Sequence, residues 1–215
     1  MRRHRSRSGR IVRNLLLAFL FLLLLWGLLG APMPTAELKF RQLESERLMT
    51  HSRRLLTLEN LVQNDGEPYL VRVGTWEQNA ITGCYFPGER EWAALNLWPL
   101  EDGPTPIPLA YPICRPPEGE SRRVGNGLLF LQIPQDTARC QVTITGTLPQ
   151  PRTETASGEP QGSGVWLFWF GAGVEERPVV YQNRALEGLP YTLELFRADG
   201  SPLLTQEGTI PTPIA

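Results

Sequence analysis

Residues 15–31 read LLLAFLFLLLLWGLLGA, an apolar run without a single charge. As an α-helix the run is about 26 Å long, close to the roughly 30 Å of bilayer hydrocarbon. Ile11 and Val12 lengthen it if Arg13 lays its stem along the helix and its head in the interface. An uninterrupted run of this length is a poor fit to the core of a water-soluble fold. The sequence therefore predicts one transmembrane helix over 15–31, and the rest of the chain is arranged around it.

Charge sets the expected orientation. Arg2, Arg3, Arg5, Arg7, Arg10 and Arg13 precede the run, and none of the 22 acidic residues does. Arginines on one flank keep that flank in the cytoplasm. Residues 1–14 thus read as a cytoplasmic basic tail, and the C-terminal part as extracytoplasmic, in a single-pass protein of the cell membrane. The tail is read as a topology signal facing the lipid bilayer, and no nucleic-acid partner is expected. The run exceeds the h-region of a cleaved signal peptide, and Pro32 disfavours a cut after Ala31. An uncleaved signal anchor follows.

Pro32 and Pro34 end the membrane helix, and Thr35 is a fitting N-cap for the next element. Residues 36–62 lack Gly and Pro and are rich in Leu, Glu and Arg, a helix composition. Glu37 and Arg41 stand four apart in the favourable order. Asn64-Asp65-Gly66 supplies a stop. The expectation is a juxtamembrane helix over 35–64. It would dock its Leu48, Leu55, Leu58 and Val62 side on the domain that follows, since heptad positions filled by Arg41, Glu44 and His51 make a poor coiled-coil seam.

Residues 66–215 hold most of the 20 prolines, and β-branched and aromatic runs alternate there with turn residues. Candidate strands are 69–73, 80–86, 92–98, 107–113, 128–133, 139–147, 165–170, 179–183, 191–197 and 202–206. No helix-period segment separates them, so parallel βαβ units are not supported. Cys140, Val142 and Ile144 alternate with Gln141, Thr143 and Thr145, the mark of a half-buried strand. Residues 165–170, VWLFWF, are apolar on both faces, as a covered central strand is. Asp199-Gly200 marks a hairpin. Pro108 and Pro112 push 107–113 towards an edge. Residues 149–164, PQPRTETASGEPQGSG, read as a mobile loop, and 99–108 as a stiffer one. The expected fold is mainly β: a two-layer antiparallel β-sandwich, Ig-like in architecture, with a closed barrel as the alternative.

The available chemistry is narrow. The chain has two histidines, His4 and His51, and neither lies in 66–215. A Ser-His-Asp triad, a Cys-His pair and a His-ligated metal site therefore have no material in that domain. Lys39, the single lysine, sits beside the membrane segment. There is no C-x-x-C, P-loop or dinucleotide fingerprint, and Asp65, Asp102, Asp136 and Asp199 form no calcium motif. No cofactor, no metal and no catalytic residue is assigned. Of Cys84, Cys114 and Cys140, the first two are the candidate disulfide, with three buried thiols as the equal alternative. Trp76, Trp92 and Trp98 are the candidate binding surface, Trp76 the best placed to be exposed.

The leading expectation is a membrane-anchored protein, not an enzyme, whose extracytoplasmic β-domain binds an envelope protein, a peptide or a polysaccharide. An anchored hydrolase using carboxylates such as Glu89 and Glu91, or a structural subunit of a membrane complex, is the alternative.

Overall fold

The computed structural model describes residues 7–28, 35–62, 66–111, 113–115, 123–146, 152–171 and 186–214. Two helices come first, α1 (Arg7–Leu28) and α2 (Ala36–Glu46). Thirteen strands follow among the described residues, and every strand pairing is antiparallel.

The first sheet is a meander of β1 (Arg53–Val62), β2 (Pro68–Trp76), β3 (Asn79–Phe86) and β4 (Glu91–Pro99). The middle sheet runs β10 (Glu159–Gly162), β11 (Val165–Gly171), β7 (Arg123–Leu131) and β5 (Thr105–Pro108), with β6 (Ile113–Arg115) also on β7. The third runs β13 (Pro202–Thr209), β12 (Pro190–Phe196), β8 (Arg139–Gly146) and β9 (Arg152–Ser157).

Burial gives the stacking order. One core joins Val71, Val73 and Trp98 of the first sheet to Ile107, Leu129 and Leu167 of the middle one. A second joins Leu128, Phe130 and Phe168 of the middle sheet to Val142, Leu193 and Leu195 of the third. Phe40 of α2 packs with Ile81 and Leu95 on the remaining face of the first sheet. The layers are thus α2, first sheet, middle sheet, third sheet. This is sandwich packing, but with three sheets where two were expected. The middle sheet is apolar on both faces because successive residues of a strand point to opposite sides. The VWLFWF run of β11 lies in it, as the sequence implied.

Strands expected from alternation and β-propensity match β2, β3, β4, β7, β8, β11, β12 and β13. Cys140, Val142 and Ile144 are buried as the alternation required. The 107–113 candidate is split into β5 and β6. Both pair with β7, and β5 is an edge strand carrying Pro106 and Pro108. The 179–183 candidate lies outside the described residues, as do Pro112 and the Asn64-Asp65 stop.

Two expectations are corrected. Residues 35–64 are not one helix. Thr35 caps α2, its Oγ1 accepting from the Leu38 N–H at 3.2 Å. The helix ends at Glu46, and 53–62 is the edge strand of the first sheet. The stop is a Schellman turn without glycine. The Leu48 N–H donates to Ser45 O at 3.0 Å, the Met49 N–H to Glu44 O at 2.9 Å, and Leu48 takes φ 58°. A left-handed leucine costs about 1–2 kcal/mol. Burial of Met49 against the same cluster as Leu43 offsets it. Leu48, expected to dock, is 94% exposed.

Residues 149–164 are not a loop throughout either, since β9 and β10 occupy most of them. Chain continuity through Gly158 carries the backbone from the third sheet into the middle one. The Gly158 N–H donates to Cys140 O at 2.9 Å, and a Cβ there would stand 2.6 Å from Phe168 and 2.9 Å from Trp166. The polar composition of β9 is its outer face. Thr143 and Thr155 hydroxyls meet across β8 and β9 at 2.9 Å.

Candidate functional site

Three polar or aromatic groupings could carry function, and each is built by a different pair of elements. The first is the charged cluster under α2. In an α-helix, positions four apart share a face, so Glu44 follows Phe40 into the buried side of α2. Both are fully buried. The Glu44 carboxylate accepts from the Ser52 hydroxyl, from the Ser52 N–H at 3.0 Å and from Arg41 at 2.9 Å. Arg72, 1% exposed in the middle of β2, donates to Ser52 Oγ at 2.9 Å and pairs with Glu37 at 3.4 Å. Its guanidinium lies 3.9 Å from the centre of the Phe40 ring. Gly83 makes room for that ring, since a Cβ there would stand 2.8 Å from it.

Burial by itself would raise the pKa of Glu44, but the Ser52 and Arg41 hydrogen bonds outweigh it and hold the carboxyl below its ordinary 4.5. Burial pulls the Arg72 guanidinium down, with Glu37 opposing. His51 Nδ1 is 3.5 Å from the same Glu44 carboxylate. This brings Ser52, Glu44 and His51 together, which the sequence had not suggested. They are no catalytic triad. The carboxylate stands between serine and imidazole, whereas a triad needs the imidazole in the middle. Ser52 is 3% exposed and offers no nucleophile to a substrate. The cluster fastens α2 to the first sheet.

The second grouping is the tryptophans, which the structure does not assemble into one surface. Trp98 is 1% exposed in the core between the first and middle sheets, its Nε1–H donating to Thr82 at 3.0 Å. Trp92 is half-buried against Phe40, ring centres 4.8 Å apart, and donates to Ala36 O at 2.7 Å. Trp76 is half-buried in the same α2 cluster and donates to Thr50 at 2.8 Å. Two of the three hold α2, and the third holds the core. A strand alternates its faces but does not announce which face a helix will cover.

The thiols behave similarly. Cys84 and Cys140 are free and buried, and burial pushes each up to about 12. The Cys114 side chain lies outside the described residues. Glu89 and Glu91 are exposed in and beside the β3–β4 hairpin. No three potential metal ligands come together among the described residues.

The third grouping is the outer face of the third sheet. Rows of partners cross it: Thr155, Thr143, Thr192 and Glu207, then Ser157, Gln141, Glu194 and Thr205. A shallow open groove runs over Thr143, Thr145, Thr192, Glu207 and Thr209. Beside it β13 ends the sheet, and among the described residues no strand pairs with its outer edge. Three of its four strands match runs legible in the sequence, β9 does not, and only the sheet order places their hydroxyls side by side.

The α1 side chains stand apart from all three groupings. Leu15, Leu16, Leu17, Phe19, Phe21 and Leu22 are between 56% and 66% exposed. Consecutive helix residues point 100° apart, so this exposure covers every side of the helix. Among the described residues no helix is long and apolar enough to cross a membrane. The uncharged part of α1 described, residues 15–28, spans about 21 Å. Residues 29–31, which extend the run in the sequence, lie outside the described residues.

No protein-family model matches the chain, and no curated protein matches it.

Proposed function

We propose that the chain is a single-pass membrane protein, held by 15–31, whose β-domain binds an extended segment of an envelope protein outside the cytoplasm. An apolar helix exposed on every side is stable only where its surroundings are apolar too, and a bilayer supplies that. The six arginines before it favour a cytoplasmic N-terminus.

The observation that carries the binding role is that no strand pairs with the outer edge of β13 among the described residues. An edge strand presents unpaired N–H and C=O groups that accept a further strand. It lies in the layer farthest from α2, the element that follows the proposed anchor in the chain. The hydroxyl rows and the groove next to it give side chains of an added strand polar partners.

The test is in-cell photo-crosslinking of the full chain with p-benzoylphenylalanine at Thr205, at Glu207, and at Ser163 in the β10–β11 turn. One protein captured at both β13 positions, through a contiguous extended segment, and absent at Ser163 supports the reading. Equal capture at Ser163, or none at β13, refutes it.

A further inference from the structure

Among the described residues, the large exposed apolar side chains of the layered domain lie on one side of it. Outside α1, the large apolar residues exposed among the described residues are Leu38 at 46%, Leu48 at 94% and Ile214 at 54%. Leu38 lies two residues from the buried Phe40, roughly 160° away around α2, and so on its outer face. Leu48 follows Arg47, the C-cap of α2. Ile214 donates its N–H to Leu97 O of β4 at 2.8 Å, and Arg47 donates to Leu95 O of the same strand at 3.2 Å. All three therefore sit on α2 or along the β4 edge. The outer face of the third sheet, at the other end of the stack, carries threonine, serine, glutamine and glutamate.

Leu48 is the sharpest of these. Its backbone is left-handed, where glycine is the ordinary choice, and its side chain is almost wholly in solvent. Glycine or asparagine would relieve both penalties in water.

The chain itself says what covers this side. Six residues, 29–34, join α1 to Thr35, a span of at most about 25 Å. Each layer adds about 10 Å, so the outer face of the third sheet stands roughly 30 Å beyond α2. We infer that the outer face of α2 and the β4 edge rest on the same membrane that holds α1, with Leu38, Leu48 and Ile214 in the headgroup and acyl boundary. This rests on the anchor reading above. The apolar side chains drive the contact, and three of the nearby cations already have partners within the domain. Arg41 pairs with Glu37 at 3.0 Å, and Lys39 and Arg47 donate to Arg90 O and Leu95 O. Gln42 and Ser45 separate the apolar residues, which leaves no contiguous apolar core for a protein partner.

The experiment reconstitutes the full chain in vesicles of phosphatidylethanolamine and phosphatidylglycerol. Position 48, 38, 153 or 21 carries p-benzoylphenylalanine, and lipid adducts are measured by mass spectrometry. Exposure of Leu48, Leu38 and Thr153 keeps these replacements clear of the core. The expected result is adduct yield at 48 and 38 several-fold above that at 153, unchanged at high salt. Adducts at 21 with 48 no higher than 153 overturn the docking and leave the anchor. Crosslinks from 48 to a second copy of the chain also overturn it. No adduct at 21 removes the anchor, and the docking with it.

Discussion

Glu44 shows at the level of one residue what holds α2 in place. A carboxylate with no exposure keeps its charge because Ser52 and Arg41 hydrogen-bond it, against a desolvation that works the other way. Its folded pKa lies below the ordinary 4.5, so its contribution to stability is complete above that pH and is lost as pH falls through the folded value. Glu44→Gln is expected to cost about 2–3 kcal/mol at pH 7, by leaving Arg41 and Arg72 under-compensated. At pH 3 the cost should shrink. Urea midpoints of the full chain in detergent micelles at both pH values check this, and an equal cost at both would refute it. Signals for the cluster were present in the sequence: Glu44 shares a helical face with Phe40, and Arg72 interrupts the apolar YLVRV. What they could not give was the partner, since α2 meets β2 through tertiary packing. The tryptophans fail for the same reason. Trp92 and Trp76 look like surface candidates until α2 is laid across them.

At the scale of elements, legibility followed the length and purity of the pattern. The alternation in 139–146 identifies a strand by its period, and 165–170 by its short length and aromatic content. The 36–62 segment misleads because α2 stops without a glycine. Leu48 takes the left-handed position, and 53–62 is still rich in Leu and Arg, which are good helix formers. The 149–164 segment misleads in the opposite sense. Its Thr, Glu and Gly content is that of a loop, yet Thr153, Thr155 and Ser157 are simply an exposed strand face. Gly158 then turns the chain between sheets, as corners of packed sheets require. Its missing side chain is what admits Phe168 and Trp166. Gly158→Ala should therefore destabilise by about 1–3 kcal/mol through overpacking. The Phe168→Leu background, which frees space at that corner, should absorb part of the cost. Additive losses in the double variant would mean that the corner is not set by this contact.

For the molecule as a whole, the middle sheet decides whether three layers act as one body. Leu128 and Leu129 are neighbours on β7, both fully buried, yet they enter different cores. Leu129 packs towards the first sheet and Leu128 towards the third. The sequence disclosed that some strand had to be covered on both faces. It could not disclose that two further sheets do the covering, because the pairing order is a long-range property. If one strand serves both cores, neither core survives loss of the other. Leu128→Ala and Leu129→Ala should each cost about 2–5 kcal/mol, the usual range for a buried leucine cavity. Both losses should fall on the same unfolding transition, with tryptophan fluorescence and far-ultraviolet circular dichroism giving coincident midpoints. Trp98 reports the core that Leu129 enters, and Trp166 the core that Leu128 enters. A Leu128→Ala variant that splits the transition, melting the third sheet while the Trp98 signal stays native, would show two separable units rather than one stack.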